Sequence, residues 1–353
     1  MRSSAKLFLA LVCLGMVACG GSSSSKEARP ALDLEFSDPP IDLEGTAAKF
    51  VADLRYGEGE RNFLDIYLPE CSEPTALVIY VHGGGFTGGN KSAGHRNPGN
   101  VREFLDNCVA FATINYFLLD VPSRAEGTDS IAAQGGVLSS LRDAAQSLQF
   151  LRYNFAILNL DPTRVAMYGA SAGAGASLWM ATSDDMADAD SADPVAREST
   201  RILAAGALAT QSTYDVMKWD TILMPITEQF AEALGGTDIP TVAAAVGATN
   251  YMLTFLGVPE VADIYTPENA EYRASIDMLG MMDAEDAPLF VRNYATSFDD
   301  LLNVFLHTGL HALAVMDRAD AVGLENVTYV EGAFAREDPS GLELVPFLLG
   351  HLE

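Results

Sequence analysis

Short apolar runs and alternating stretches follow one another along the chain. Residues 76–81 and 109–116 are continuous apolar runs, which are typical of central parallel strands buried on both faces. Residues 50–55 and 63–68 alternate apolar and polar positions, which predicts antiparallel strands at one side of the same sheet. Between the two apolar runs, residues 88–100 are polar and glycine-rich and predict a loop.

Strand and helix patterns continue to alternate through the rest of the chain. Residues 135–158 carry apolar residues at helical spacing and stop before Asp161-Pro162, so they predict a long crossover helix. Such alternation favours an α/β fold, with a mostly parallel sheet covered by helices on both faces. Further strands are predicted at 164–168, 201–210, 288–293 and 327–330, and further helices at 311–322 and in the tail to 352.

Residues 216–286 interrupt this alternation. They contain helical patterns near 226–234 and 242–256 and no convincing strand. Methionines are scattered through the segment, and soft, adaptable side chains suit a surface that closes over varied groups. The segment therefore predicts a helical lid, and the alternative is an inserted helical subdomain in which these methionines are core residues.

A serine flanked by small residues follows one of the predicted strands. The pentapeptide Gly169-Ala170-Ser171-Ala172-Gly173 comes directly after the apolar run and opens an Ala/Gly-rich helical stretch. This order of strand, tight turn and helix predicts a nucleophile elbow. The elbow would expose the Ser171 hydroxyl at the sheet edge, beside a helix N-terminus that stabilises negative charge.

A second glycine motif lies upstream of the serine. His82-Gly83-Gly84-Gly85-Phe86 ends the apolar run 77–81, and this pattern is typical of a loop that donates backbone N–H groups to an oxyanion. Either motif alone is a weak signal. Found together in this order, each after a hydrophobic strand, they predict a hydrolytic site.

The two motifs carry a family resemblance. With residues 62–69 upstream and Ile114-Asn115-Tyr116 between them, they resemble the carboxylesterase and hormone-sensitive-lipase-like branch of the α/β-hydrolases. The resemblance runs from about Phe50 to the C-terminus and is strongest to about Asp215. It implies the α/β-hydrolase fold, a carboxylic ester substrate and no cofactor. It also implies that the oxyanion donors are the backbone N–H groups of Gly84, Gly85 and Ala172.

The base that activates the serine has to be found among five histidines. The family usually places it after the last strand, where residues 330–336 contain none. A histidine after the strand predicted at 288–293 would reach the sheet edge that carries Ser171. His307 is preferred, because a helix start at Thr308-Gly309 leaves it free to point at the serine. The alternatives that stay open are His311, His351 and His95, or no base at all.

An acid is needed to orient the base. Asp299 and Asp300 follow the same strand, at roughly the family's position for the acid, and Asp299 is preferred. Asp215 is the alternative, and a helix N-cap or a solvated turn would explain the Asp299-Asp300 pair equally well. A zinc site at His307 and His311 is not predicted, because the pair lacks the glutamate of the helical metalloprotease motif and an evident third ligand.

The N-terminus has the pattern of an export signal. Arg2 and Lys6 precede an apolar stretch at 7–17, and residues 16–19 resemble a bacterial lipobox, in which Cys19 would be lipidated. The expected location is therefore the cell envelope, with a lipid anchor in the outer membrane or facing the periplasm. An ordinary signal peptide is the alternative. The expected segments are a signal peptide at 1–18, a flexible tether at 19–45 and a hydrolase domain at 46–353 with its lid at about 216–286.

The net charge limits the classes of ligand that the protein can bind, and the cysteine content indicates its redox compartment. The formal net charge is −27, which argues against nucleic acid and favours neutral esters over anionic ones, although a solvated acidic surface explains it equally well. Cys71 and Cys108 precede two neighbouring strands at the sheet edge opposite the elbow. In an exported protein this placement predicts a disulfide, with two unpaired thiols as the alternative.

The sequence thus predicts an exported, lipid-anchored serine hydrolase that cleaves small neutral carboxylic esters through an acyl-enzyme, with no metal or cofactor. It makes no prediction of oligomeric state. An amidase or peptidase with the same apparatus is one alternative function. The other is a non-catalytic binding or adhesion lipoprotein on a decayed hydrolase fold.

Overall fold

The computed structural model describes residues 32–123, 126–296 and 300–353. The chain divides into the segment Met1–Asp33 and the unit Leu34–Glu353. The predicted signal peptide and Cys19 lie outside the described residues, and so does Asp299. The predicted tether overlaps the folded unit, because Phe36–Ser37 already pairs with a strand of the sheet.

The strands of the described residues form one sheet. In chain order they are β1 (Phe36–Ser37), β2 (Ala48–Arg55), β3 (Phe63–Pro69), β4 (Thr75–Val81), β5 (Val109–Ile114), β6 (Leu160–Ala170), β7 (Ala204–Leu208), β8 (Leu289–Asn293) and β9 (Asn326–Val330). From one edge to the other they lie in the order β1-β2-β3-β5-β4-β6-β7-β8-β9.

Strand direction divides this sheet into two parts. The pairs from β1 to β5 by way of β2 and β3 are antiparallel, and all pairs from β5 to β9 are parallel. The continuous apolar sequence of β5 explains its central place, since all six of its residues are buried. This architecture confirms the α/β prediction of a mostly parallel sheet with helices.

Helices connect the strands and form the segment between β7 and β8. In chain order they are α1 (Pro98–Asp106), α2 (Val137–Tyr153), α3 (Phe155–Leu158), α4 (Ala172–Thr182), α5 (Trp219–Ile222), α6 (Met224–Thr227), α7 (Ala231–Leu234), α8 (Ile239–Ala245), α9 (Thr249–Leu256), α10 (Pro267–Ala274), α11 (Met278–Met281), α12 (Leu301–His307), α13 (Gly309–Val322) and α14 (Leu344–His351). No helix within the described ranges has the length and apolar character needed to cross a membrane.

Several local predictions differ from the structure. The loop predicted at 88–100 contains a 3-10 helix, Lys91–Arg96, and the start of α1. The side chains of Asn90 and Asn97 accept backbone N–H groups at the two helix starts, so polar residues that read as loop act as caps. The sequence pattern also missed α12, which begins after Asp300.

Candidate active site

Ser171 lies at the junction between β6 and α4. Its backbone has φ 54° and ψ −119°, a strained conformation for a residue with a side chain. The backbone N–H of Ser171 donates to the carbonyl oxygen of Leu208 at 2.8 Å, which ties the turn to β7. The chain therefore forms the sharp strand-to-helix turn that the sequence predicts.

The small residues of both glycine motifs allow close backbone packing. A Cβ atom on Gly83 would lie 2.7 Å from the carbonyl oxygen of Ala170, and one on Gly169 would lie 2.4 Å from the backbone of Gly173. Real Cβ atoms do not approach other atoms so closely. The loop after β4 can thus lie directly against the elbow only because these positions lack side chains.

One histidine contacts the serine. The Nε2 atom of His307 lies 2.8 Å from the Ser171 Oγ atom, within hydrogen-bond distance. His307 is the last residue of α12, so the histidine comes from the segment after β8 and not from the loop after the last strand. The structure thus brings together the serine and the preferred histidine of the sequence analysis.

The second ring nitrogen of His307 contacts an amide side chain. The Nδ1 atom lies 2.8 Å from the Oδ1 atom of Asn303, one turn earlier in α12. Burial lowers the pKa of His307 below its ordinary value, while the hydrogen bond with Asn303 and the charge of Asp300 act in the opposite direction. Burial is the largest of these effects, so the neutral imidazole is favoured.

The carboxylates considered from the sequence have other partners where they are described. Asp300 is the N-cap of α12, and its side chain accepts the backbone N–H of Asn303 at 3.1 Å. Asp215 pairs with Arg273 at 3.0 Å instead of approaching His307. Asp299, the preferred acid, lies outside the described residues.

The remaining histidines have structural contacts of their own. His311, the first alternative base, is fully buried; its Nε2 atom donates to the carbonyl oxygen of Phe305 at 2.8 Å, and its Nδ1 atom accepts from Ser212. His95 contacts Asp65 at 3.0 Å. His351 lies 3.6 Å from Glu325 on the tail helix. None of these contacts involves Ser171.

Tyrosine hydroxyl groups hold the glycine loop after β4 and the start of α4. Gly84 and Gly85 have φ values of 121° and 60°, which glycine adopts without strain. Tyr251 donates its hydroxyl hydrogen to the carbonyl oxygen of Gly85 at 2.8 Å, and Tyr214 donates to that of Ala172 at 2.7 Å. These two hydrogen bonds hold the backbone at Gly85 in the glycine loop and at Ala172, the residue after Ser171.

His82 supports this loop from below and stays uncharged. Its Nδ1 atom donates to the carbonyl oxygen of Gly83 at 2.7 Å, and its ring stacks on Tyr116 with centroids 4.2 Å apart. Burial lowers the pKa of His82 to about 4. The side chain is therefore a neutral packing element of the glycine loop after β4.

An apolar cavity opens beside the serine. Helices α8 and α9 cover it, and its wall includes Ser171, Gly85 and Ala172. Among the described residues that line it, the polar side chains are Ser171, Gln211 and two tyrosines, and none is charged. The apolar lining side chains include Phe86, Val216, Trp219, Ile239, Val242, Ala243, Val246, Met252, Phe255, Leu302, Phe305 and Leu306.

One further predicted feature can be located. Cys71 and Cys108 form a disulfide with Cα atoms 6.1 Å apart, at the starts of β4 and β5 and thus at the edge opposite Ser171.

Among the residues that the structure describes, no group of three or more His, Cys, Asp or Glu side chains has the arrangement of a metal site.

The parallel sheet and the strand-to-helix elbow define the α/β-hydrolase fold. A family model described as BD-FAE matches residues 64–252, and the chain belongs to this family. The match begins in β3 and ends in α9, so it includes both glycine motifs and most of the cavity wall. The predicted resemblance to α/β-hydrolases is thereby confirmed.

Individual relatives are esterases and lipases by name. Lipase 1 of Geotrichum candidum is 32% identical over 117 residues, which are 32% of this chain and 20% of that protein. Gut esterase 1 of Caenorhabditis elegans is 29% identical over 111 residues, 31% of this chain and 19% of the relative. The matches thus span about a fifth of the length of these relatives.

Solved structures share the fold at low sequence identity. A truncated carbohydrate esterase from gut microbiota has a TM-score of 0.55 and 13% identity, covering 81% of this chain and 88% of that chain. Esterase B from Lactobacillus rhamnosis, inhibited by a tributyrin phosphonate, has a TM-score of 0.54 and 15% identity, covering 86% of this chain and 85% of that chain.

Sequence reasoning missed Asn303 and the two tyrosines that contact the glycine loop and the start of α4. Asn303 and His307 are four positions apart, the spacing at which side chains meet on a helix. That signal was usable only if α12 had been recognised. Tyr214 and Tyr251 come from distant parts of the chain, and no local pattern marks them.

Proposed function

We propose that this protein hydrolyses neutral carboxylic esters through an acyl-enzyme on Ser171. The observation that carries the proposal is the 2.8 Å contact between the Ser171 Oγ atom and the His307 Nε2 atom at a strained elbow. A serine hydroxyl is a weak nucleophile at neutral pH, and a hydrogen-bonded imidazole removes its proton as it attacks.

The proposed reaction has two half-reactions. Ser171 Oγ forms a bond with the ester carbonyl carbon while its proton moves to His307 Nε2, and the tetrahedral oxyanion accepts hydrogen bonds from the backbone N–H groups of Gly84, Gly85 and Ala172. The carbon–oxygen bond to the alcohol then breaks, and His307 returns the proton to the departing oxygen. Water, deprotonated by His307, attacks the acyl-enzyme and releases the acid and the free serine.

The cavity supports the choice of substrate. It begins at Ser171 and Ala172 and continues between apolar side chains of α8 and α9, and its described lining residues carry no charge. An apolar acyl chain gains free energy there by leaving water, while an anionic group would lose its hydration without compensation. The substrate class is therefore a neutral ester whose acyl part is apolar.

A fluorophosphonate probe and p-nitrophenyl esters test the proposal together. We expect the folded wild-type protein to be labelled and to hydrolyse the esters. Ser171→Ala and His307→Ala should lower kcat by a factor of about 10³ or more. The exposed Ser92→Ala is the matched control and should behave as the wild type. A folded wild-type protein that neither labels nor turns over would instead support a non-catalytic binding protein, and preferential cleavage of amides would support an amidase.

We also propose that the protein is exported and held at the cell envelope by a lipid on Cys19. The N-terminal pattern supports this, and a Cys71–Cys108 disulfide is typical of an oxidising compartment. Labelling with a palmitate analogue in the bacterial host tests it. Cys19→Ala should abolish the label, and Cys13→Ala, within the signal segment, should retain it. An unlabelled wild type, or a label that survives Cys19→Ala, would contradict the anchor.

A further inference from the structure

Among the described residues, an amide contacts the His307 imidazole at the place where a serine hydrolase usually has a carboxylate. The Asn303 Oδ1 atom lies 2.8 Å from Nδ1. Because the Ser171 hydroxyl donates to Nε2, the ring hydrogen is on Nδ1, and Nδ1–H donates to the amide oxygen. The amide thus fixes the tautomer and the orientation of the ring as a carboxylate does, but it brings no negative charge.

The nearest described carboxylate along α12 is Asp300, and its side chain caps the start of the helix. Asp300 precedes the helix, and its oxygen accepts the N–H of Asn303 at 3.1 Å as an N-cap. An N-cap carboxylate satisfies the free N–H groups at the start of a helix and interacts favourably with the helix dipole. The charge of Asp300 therefore acts on His307 through space and not through a hydrogen bond.

The C-terminal end of α12 is anchored by side chains from three other segments. Each donates to a backbone carbonyl group that the helix itself leaves free. Because these bonds hold the last turn, the four-residue spacing of Asn303 and His307 is rigid on the helix. The donors are His311 to Phe305 at 2.8 Å, Gln211 to Leu306 at 2.7 Å, and Asn293 to His307 and Thr308 at 3.2 and 3.1 Å.

We propose that Asn303 is the positioning residue of His307, so that the base of this hydrolase works with a neutral partner. The inference rests on the proposed esterase function. An Nδ1 atom carries a single hydrogen, so Asn303 and Asp299, the acid predicted from the sequence, compete for the same place. Among the residues that the structure describes, Asn303 makes this contact, and a variant of Asp299 is therefore included in the test.

A neutral partner has a consequence for pH. Within the described ranges, the charged or titratable groups that face the ring are Asp300, the N-cap of its own helix, and His311 on α13, and Ser171 and Asn303 are uncharged. Burial lowers the pKa of His311 to about 4, so it carries no charge during turnover. His307 itself must be neutral to act as a base, and a partner without charge does not favour its protonated form. Activity should therefore persist into mildly acidic solution.

The test compares pH profiles of kcat/KM for variants of nearly equal size. We expect the acid limb of the wild type to lie below pH 6.5, the ordinary pKa of histidine. Asn303→Asp should keep at least wild-type turnover above pH 8 and move the acid limb upwards by about one unit or more, because a carboxylate stabilises the imidazolium. Asn303→Leu should lower kcat by a factor of about 10 to 100 with little change in KM, since the ring loses its orientation.

The outcomes separate the inference from the proposed function. If Asn303→Leu keeps the wild-type kcat and pH profile, Asn303 does not position the base. The same conclusion follows if Asp299→Asn, and not the Asn303 variants, lowers kcat and shifts the acid limb of the kcat/KM profile. Melting temperatures show that each variant is folded, and fluorophosphonate labelling shows how far its serine stays reactive. A folded wild type without labelling or turnover at any pH would be a failure of the esterase proposal itself.

Discussion

The carbonyl oxygen of Val81 occupies the space that a side chain at Gly173 would need. A Cβ atom on Gly173 would lie 1.9 Å from that oxygen and 2.8 Å from the carbonyl oxygen of His82. The start of α4 is therefore packed directly against the end of β4, where the oxyanion loop begins. This contact joins the two halves of the candidate site.

Gly173→Ala should displace the elbow. The added Cβ atom would clash with backbone atoms, which cannot rotate away. We therefore expect the folding free energy to fall by several kcal/mol, about as much as in other overpacked cores, and turnover to fall strongly. Gly350→Ala is the matched control, because it is also a helical glycine and has no atom within 4 Å of the added Cβ. It should stabilise the protein by up to about 1 kcal/mol. Equal melting temperatures for the two variants would contradict the packing argument.

Acyl-chain preference should depend on one face of α8. Ala243 is buried in the cavity wall, whereas Ala244 is exposed on the same helix. Ala243→Phe should reduce kcat/KM for long p-nitrophenyl esters by about tenfold or more relative to the acetate, since it fills space that the chain needs. Ala244→Phe should leave the chain-length profile unchanged. A uniform loss across all chain lengths in Ala243→Phe would mean that the cavity does not hold the acyl group.

Folding stability should decrease in mildly acidic solution. Burial lowers the pKa of His311 from 6.5 to about 4, so the unfolded chain takes up a proton that the folded protein excludes. The stabilising contribution is complete above pH 6.5 and is lost as the pH falls toward about 4, at about 1.4 kcal/mol per pH unit. His82, whose pKa is lowered in the same way, adds to the effect.

Urea unfolding at pH 7.5 and pH 5.5 measures this dependence. His311→Gln should be less stable at pH 7.5 but should show a weaker pH dependence, because the group that titrates has been removed. His351→Gln, at the tail helix beside Glu325, is the control and should keep the wild-type dependence. An unfolding free energy of the wild type that does not fall between the two pH values would exclude this account.

The disulfide should stabilise the fold without taking part in turnover. The two cysteines are 37 positions apart, and closing a loop of that size in the unfolded chain is worth about 4 kcal/mol in the chain-entropy model. Replacing both Cys71 and Cys108 with Ser should lower the melting temperature and leave kcat/KM at 25 °C within about twofold. Dithiothreitol should lower the melting temperature of the wild type and not that of the double variant. A large decrease in kcat/KM in a folded double variant would show that the disulfide is needed for activity and not only for stability.

The sequence by itself determined most of the strands, the elbow and the glycine loop after β4. Each of these is specified locally, because apolar runs predict buried strands and glycine is needed where backbones approach closely, as at Gly83 and Gly169. The same local information placed His307 after β8 as the preferred base.

Only the tertiary structure decided which atoms meet. Ser171 and His307 are separated by 136 positions, and their 2.8 Å contact depends on the sheet order and on a short helix that the pattern of residues did not reveal. The helix was hidden because Asp300 and Asn303 read equally well as a polar turn, and its stability comes from donors such as Asn293 and Gln211 in other segments. A contact between side chains that are distant in sequence depends on tertiary packing, and the local spacing of residues does not predict it.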